Sequence, residues 1–214
     1  MAKADKKDIR RQEIVAAAQA VAARDGAEGA TLRAIAAEAG MAANAVLYYF
    51  GSHAEIIAAA VQTSSGRFLE KLADADDLEM APTARLAAVI SAGTTAGLDD
   101  DVSRILYEYW PHMLRDAEQC RIQDELTSAQ ERVYREIIDA GTSSGEFSPL
   151  LDPAKIARTL VAQEDGLVMD VLAGSATSEY VLDLMASLAA ALLGIKAEAL
   201  LELIAVRGGS VPAT

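Results

Sequence analysis

Residues 30–61 read ATLRAIAAEAGMAANAVLYYFGSHAEIIAAAV and hold two short helical segments separated by a glycine-containing turn. The hydroxyl of Thr31 is placed to cap the first segment, about 32–39, and Gly40 supplies the left-handed residue that ends it. The second segment, about 42–49, follows directly. Two short helices joined by such a turn and braced by a longer first helix are typical of a helix-turn-helix. Generic helical bundles contain similar turns, so the pattern alone leaves both structures open.

The remaining sequence also predicts helices, and we expect an all-α fold. Apolar side chains recur at helical spacing, period-two alternation is missing, and Ser52 with Glu55 forms a capping box for a long helix. The predicted helices are 7–24, 53–74, 83–96, 102–116, 119–141, 153–173, 178–193 and 196–206. The chain is thus expected to hold an N-terminal tri-helical helix-turn-helix domain, residues 1–52, which a long helix joins to a helical domain, residues 53–214.

Charge is unevenly distributed along the chain. The net charge is −13, yet residues 1–57 hold seven basic and seven acidic side chains, so the remainder carries the whole excess. Residues 1–11 are basic, with Lys3, Lys6, Lys7, Arg10 and Arg11. Such segregation lets one end of a molecule approach phosphate while the acidic bulk stays away. An ordinary solvated tail of mixed charge is the alternative interpretation.

The sequence gives little support for a membrane protein, a secreted protein, a metalloprotein or an enzyme. No apolar run reaches the roughly 18 residues that a membrane span needs, and the start MAKADKKDIRRQ lacks the apolar stretch of a secretory signal. The single Cys120 forms no internal disulfide, which favours the cytoplasm. His53 and His112 lack companion ligands, so we expect no metal, no cofactor and no catalytic residue. An all-α enzyme that uses Cys120 and His112 is an open alternative.

Residues 30–61 resemble the N-terminal DNA-binding domain of the TetR family of repressors. The signature runs from a Thr-capped helix through an Ala-Gly-apolar turn to a recognition helix that ends in leucine, aromatic residues and phenylalanine. The landmarks present are Thr31, Ile35, Ala36, Ala39, Gly40, Val46, Tyr48, Tyr49, Phe50, Gly51, Ser52, Glu55 and Ile56. The sequence from Tyr107 to Gly174 is similar, more loosely, to BetI-like C-terminal domains of the same family.

The resemblance implies which residues face DNA. Asn44 is the main hydrogen-bonding side chain of the recognition helix, and it suits adenine, while Ala43 suits a thymine methyl group. Two departures weaken the pattern: Ala42 replaces a capping serine, and Leu47 replaces the first aromatic residue. His53 stands where the family usually has lysine. The expected DNA-binding residues are Lys6, Lys7, Arg10, Thr31, Arg33, Ala42, Ala43, Asn44, Tyr48, Tyr49 and His53.

The resemblance also implies a homodimeric repressor that binds a near-palindromic operator and is released by a small molecule bound in the C-terminal domain, away from any membrane. The expected ligand-binding residues are Phe68, Tyr107, Trp110, Met113, Gln163 and Met169. The expected dimer residues are Ile156, Leu160, Leu167 and Val171 on one helix and Val181, Leu184, Leu188 and Leu192 on the next. A related module that binds small molecules but has lost specific DNA binding is the alternative.

Overall fold

The computed structural model describes residues 2–99 and 101–207, with side chains over 6–94 and 104–206. Within these ranges every regular element is an α-helix, and the all-α prediction is confirmed. The helices are α1 (Ala2–Gly29), α2 (Leu32–Glu38), α3 (Ala43–Phe50), α4 (His53–Ala75), α5 (Pro82–Asp99), α6 (Asp101–Met113), α7 (Ala117–Ser144), α8 (Pro153–Leu172), α9 (Ser178–Leu193) and α10 (Ala197–Arg207). Among the described residues, none of these helices combines the length and the apolar character needed to cross a membrane.

The first helix is longer than its sequence predicts. The sequence predicts a helix over 7–24, whereas α1 begins at Ala2, is interrupted by a kink at Gly26, whose φ is 73° and ψ 179°, and includes a further turn to Gly29. Glycine has no Cβ, so it adopts this backbone conformation at little steric cost. Gly26 therefore bends the chain, and the extra turn carries Ala27 towards α6.

The chain divides into two compact units. Unit 1 extends to Arg67 and also includes α6 and the start of α7 as far as Gln123, whereas unit 2 comprises Phe68–Asp99 and the chain from Asp124 onward. Helices α4 and α7 thus contribute to both units. The functional boundary expected between residues 52 and 53 stays a prediction, and unit 1 includes α6 because that helix packs against α1.

In unit 1, α1 is the central helix and packs against α2, α3 and α6. Its apolar face is fully buried at Ile14, Ala18 and Val21. The buried Gln19 amide donates to Ser64 Oγ at 3.0 Å and to the Ala60 carbonyl at 3.3 Å. Since both acceptors lie on α4, this side chain fixes α1 against the first half of α4.

In unit 2, α5 packs against α8, α9 and α10, and its face from Leu86 to Ile90 is buried. The connection into α8 is held by the amide of Ser148, which donates to the Leu193 carbonyl at 2.7 Å at the end of α9. Arg85 and Asp76 form a buried ion pair with an Nε–Oδ1 distance of 2.7 Å. The described interior of this unit is otherwise mainly apolar, with Thr94, Gln130 and Glu164 as its other buried polar residues.

A buried carboxyl group interrupts that apolar interior. Glu164 on α8 is 1% exposed, and its Oε2 accepts a hydrogen bond of 3.0 Å from the Tyr134 hydroxyl on α7. Its Oε1 has no hydrogen-bond partner within the described part of the chain and lies over Gly93 of α5. Burial raises the pKa of Glu164 to about 8, although the bond from Tyr134 opposes that shift. The group is therefore mostly protonated at neutral pH.

Candidate nucleic-acid interface

Helix α3 presents one face to the core and the other to solvent. Val46 and Phe50 are buried, and Tyr48, which lies on the opposite side, is 78% exposed. Asn44 is exposed one turn before Tyr48, so both polar side chains are accessible to a groove of DNA. Ala42 occupies the N-cap position with extended backbone and provides no side-chain cap. The sequence-based expectation of a missing cap is therefore met by the geometry of this helix start.

Basic side chains of α1 lie beside the recognition helix. Lys6, Lys7 and Arg10 line a cleft of about 730 Å³ together with Tyr48 and Tyr49. The two tyrosine rings meet edge to face, with 5.3 Å between their centroids. We call this the N-terminal cleft. Lysine and arginine beside aromatic hydroxyl groups are groups that contact a phosphodiester backbone, and the fold gathers five of the eleven predicted DNA-binding residues here.

Arg11 has a role that the sequence did not reveal. Its guanidinium lies 3.9 Å from the centroid of the Phe50 ring and donates a hydrogen bond to the Tyr49 carbonyl at the end of α3. A cation over an aromatic face and near a helix C-terminus is favourable on both counts. Arg11 therefore positions the recognition helix, whereas the basic run alone suggested a phosphate contact. The helical spacing of Arg11 with Ile14 and Ala18 was the available signal.

The remaining predicted contacts lie at helix starts. Thr31 caps α2, with its Oγ accepting from the Ala34 amide at 3.2 Å, and Arg33 is exposed on the same helix. His53 Nε2 lies 2.6 Å from the Ala30 carbonyl, an acceptor only, so Nε2 must donate to it. The Nε2 of His53 is thus engaged within the chain, which leaves Nδ1 for a phosphate, and the DNA contact of His53 stays a prediction.

Comparison with known proteins identifies the arrangement of α1 to α4. Residues 14–60 match the family described as "Bacterial regulatory proteins, tetR family", and residues 91–179 match "Tetracyclin repressor-like, C-terminal domain". The chain belongs to the TetR family. It is accordingly a transcriptional regulator with a DNA-binding and a ligand-binding domain. The resemblance to the TetR family is confirmed, whereas the BetI-like character of the C-terminal domain stays a prediction.

Individual TetR-family relatives are distant. The "Uncharacterized HTH-type transcriptional regulator YfiR" of Bacillus subtilis (strain 168) is 26% identical over 168 residues, or 78% of this chain and 82% of that protein. A TetR-like transcriptional regulator from Rhodococcus sp. RHA1 is 26% identical with a TM-score of 0.63, covering 84% of this chain and 93% of the other. FadR of Bacillus subtilis, solved in complex with stearoyl-CoA, is 23% identical with a TM-score of 0.66 over 86% and 99%. This last likeness shows the fold alone.

The predicted ligand-binding residues fall into both units. In unit 1, the Tyr107 and Trp110 rings stack with 6.3 Å between centroids, and Met113 lines a separate cleft. In unit 2, Phe68 is buried, Gln163 is half-buried and Met169 is 49% exposed. Their common role as an effector site stays a prediction.

The predicted dimer residues divide by burial. Four of them lie in the interior of their own chain, because α8 and α9 turn those faces towards each other and towards α5; they are Ile156, Leu160, Leu167 and Val181. These four are thus covered within the single chain, and their assignment to a dimer interface stays a prediction. The other four remain half-buried in the single chain; they are Val171, Leu184, Leu188 and Leu192.

Proposed function

We propose that this TetR-family regulator is a ligand-responsive repressor, which binds a near-palindromic operator as a dimer and is released by a small molecule. The observation that carries the DNA-binding part is the N-terminal cleft, where Lys6, Lys7 and Arg10 lie beside Tyr48 and Tyr49 of α3. In this proposal α3 enters the major groove and Asn44 pairs with adenine. The basic side chains of α1 contact phosphates and fix the position of the helix on the duplex.

A dimer is supported by the apolar face that α9 leaves half-covered. Leu184, Leu188 and Leu192 recur every fourth residue there, and Tyr180 one turn earlier is 58% exposed. Continuous apolar side chains on a helix surface are a mark of a protein interface. A second copy of the chain would place two α3 helices in successive major grooves, roughly 34–36 Å apart, which requires an operator with two-fold symmetry.

Effector binding is supported by the family's C-terminal domain and by one protein of this fold that binds stearoyl-CoA. An effector lowers DNA affinity only if it binds the released state more tightly than the DNA-bound state. The six ligand-binding residues predicted from the sequence remain candidates for this role.

The DNA contacts are tested by selecting binding sites from random duplexes and then measuring affinity for the selected site at several salt concentrations. The triple variant K6A/K7A/R10A should weaken binding to every duplex and reduce the slope of log affinity against log salt by about 2–3. The N44A variant should weaken binding to the selected site by about 10- to 100-fold, with a much smaller effect on random DNA.

The matched control K155A/K196A removes two exposed lysines from unit 2 and should leave both measurements unchanged. An unaltered salt slope in K6A/K7A/R10A would remove the N-terminal cleft from the interface. If no duplex is enriched, the result would favour the alternative function, a small-molecule-binding module without specific DNA binding. The uncapped start of α3 at Ala42 and the engaged His53 Nε2 are the observations that favour this alternative.

A further inference from the structure

A second cleft in unit 1 is formed by helices that are distant in the sequence. It has a volume of about 490 Å³, which lies within the range of small-molecule sites. Its apolar floor comes from the end of α1, the first turns of α4 and the end of α6; the residues are Ala27, Ala54, Ile57, Ala58, Val61 and Met113. We call it the α4–α6 cleft, and the DNA interface proposed above does not use this floor.

The rim of the α4–α6 cleft is negatively charged. Three carboxylates, Glu55, Asp116 and Glu118, line it against two histidines, His53 and His112, and no lysine or arginine is found among its lining residues in the described part of the chain. Glu118 is matched by Arg121, with an Nη2–Oε1 distance of 2.6 Å. Glu55 and Asp116 form no ion pair within the described residues, so the rim keeps a negative charge.

Helix N-termini at the rim do not offset that charge. The start of α7 is capped by Asp116 Oδ1, which accepts hydrogen bonds from the amides of Glu118 and Gln119 at 2.9 and 3.0 Å. At the start of α4, Ser52 Oγ accepts from the Glu55 amide at 3.2 Å. With these amides already engaged, the helix starts offer little to an anion. The electrostatics of the cleft therefore select against anionic ligands.

We propose that the α4–α6 cleft binds a small organic cation with an apolar body. The apolar part covers the floor, and the cationic group lies at the rim near Glu55 and Asp116. The binding itself is independent of the proposed function, and only its regulatory meaning rests on that function.

The position of the cleft gives an occupant direct contact with the DNA-binding unit. The Tyr109 hydroxyl of α6 donates to the Ala27 carbonyl at 3.2 Å beside the cleft, and burial together with Glu108 raises the pKa of Tyr109 to about 12, which keeps the phenol protonated. His53, which also lines the cleft, donates to the Ala30 carbonyl. A ligand in the cleft would contact α1, α4 and α6, because all three helices contribute to its lining.

The test is calorimetric titration of the full chain, without DNA, with three probes of similar size and different charge. Benzyltriethylammonium should bind, whereas the anion 4-tert-butylbenzoate and neutral 4-tert-butylbenzyl alcohol should bind at least about tenfold more weakly. The E55Q/D116N variant keeps groups able to cap both helices and should weaken the cation about tenfold. The control E70Q/D74N, which removes two exposed carboxylates of α4 outside the cleft, should bind as the wild type does.

A second pair of variants tests the location. A58F fills the floor and should abolish binding, whereas Q62F adds the same ring to an exposed position of α4 and should have no effect. Equal binding of cation and anion, or unchanged binding in A58F, would overturn the proposal. Because this titration contains no DNA, absence of cation binding would not affect the DNA-binding proposal. Likewise, failure to select an operator would not affect the result of the titration.

Discussion

Glu164 places a carboxyl group where the described part of the chain supplies one hydrogen-bond donor, the hydroxyl of Tyr134. Its nearest neighbour on α5 is Gly93, whose missing side chain leaves the space that Oε1 occupies: an ideal Cβ on Gly93 would lie 1.4 Å from that oxygen. The glutamate at position 164 thus requires a residue without a side chain at position 93. A glycine inside a helix otherwise weakens it, so its presence in α5 is explained by this contact.

Substituting that glycine should destabilise the protein. G93A forces α5 and α8 apart or displaces Glu164, and we expect a loss of about 1–3 kcal/mol in the free energy of unfolding. G66A is the matched control, because Gly66 lies in α4 with nothing within 4 Å of its ideal Cβ. Since alanine is the better helix former, G66A should gain up to about 1 kcal/mol. Urea denaturation measures both, and equal effects would contradict the close contact.

The raised pKa of Glu164 predicts how stability depends on pH. In the unfolded chain this group loses its proton near its ordinary value of 4.5, but in the folded chain only near 8. The folded state therefore holds the extra proton between these values, and stability falls as pH rises through this interval. Burial also raises the pKa of Asp165, to about 6, and this adds to the fall below pH 6 only.

The interval from pH 6 to 8 isolates Glu164. Wild-type stability should fall there by about 1 kcal/mol per pH unit, and E164Q, which cannot ionise, should remove most of this slope. D165N should keep the slope above pH 6 and lose part of it below. Denaturation midpoints at pH 6, 7 and 8 measure this slope. An equal dependence of stability on pH in wild type and E164Q would show that Glu164 is not the group responsible.

At the scale of helices, local signals predicted the elements well. The predicted range 178–193 coincides with α9, because Thr177 caps its start by accepting from the Tyr180 amide and Gly194 ends it with φ 68°. Both signals, the cap and the glycine, come from residues at the two ends of the helix itself. The turn beyond Gly26 was harder to foresee, since the Ala27 carbonyl in it accepts a hydrogen bond from Tyr109 of α6, a residue distant in the sequence.

The start of the recognition helix provides a test at this scale. A42S supplies the missing cap on a backbone that already has extended dihedral angles, φ −76° and ψ 145°. We expect α3 and the whole chain to gain about 0.5–2 kcal/mol. The reverse change, T31A, removes the existing cap of α2 and should lose a similar amount. Thermal unfolding compares the two, and a loss of stability in A42S would argue against the geometry of this cap.

At the scale of the whole molecule, sequence periodicity identified apolar faces but not what covers them. Ile156 and Leu188 both belong to regular stripes, yet the first is buried in its own chain and the second is half-buried. Periodicity reports that a face is apolar, whereas the packing partner depends on the tertiary fold. For the same reason the α4–α6 cleft was not predicted: its walls come from residues more than 80 positions apart in the sequence.

The proposed dimer is tested on the half-covered face of α9. L188E places a charge on this face and should shift the protein from dimer to monomer in sedimentation velocity experiments. L78E is the control, because Leu78 is 73% exposed in the connection between α4 and α5 and does not belong to this stripe. A wild-type protein that sediments as a monomer would end the dimer proposal. Equal dissociation by both variants would assign the effect to general destabilisation.

The contact between Gly93 and Glu164 also restricts the order in which related genes can change. A gene that replaces the glycine first passes through a protein with two overlapping side chains, whereas one that first shortens the glutamate meets no such obstacle. Relatives that carry alanine at the position of Gly93 should therefore carry a smaller residue in place of Glu164. The two positions are expected to covary across the lineage, with the change in α8 preceding the change in α5.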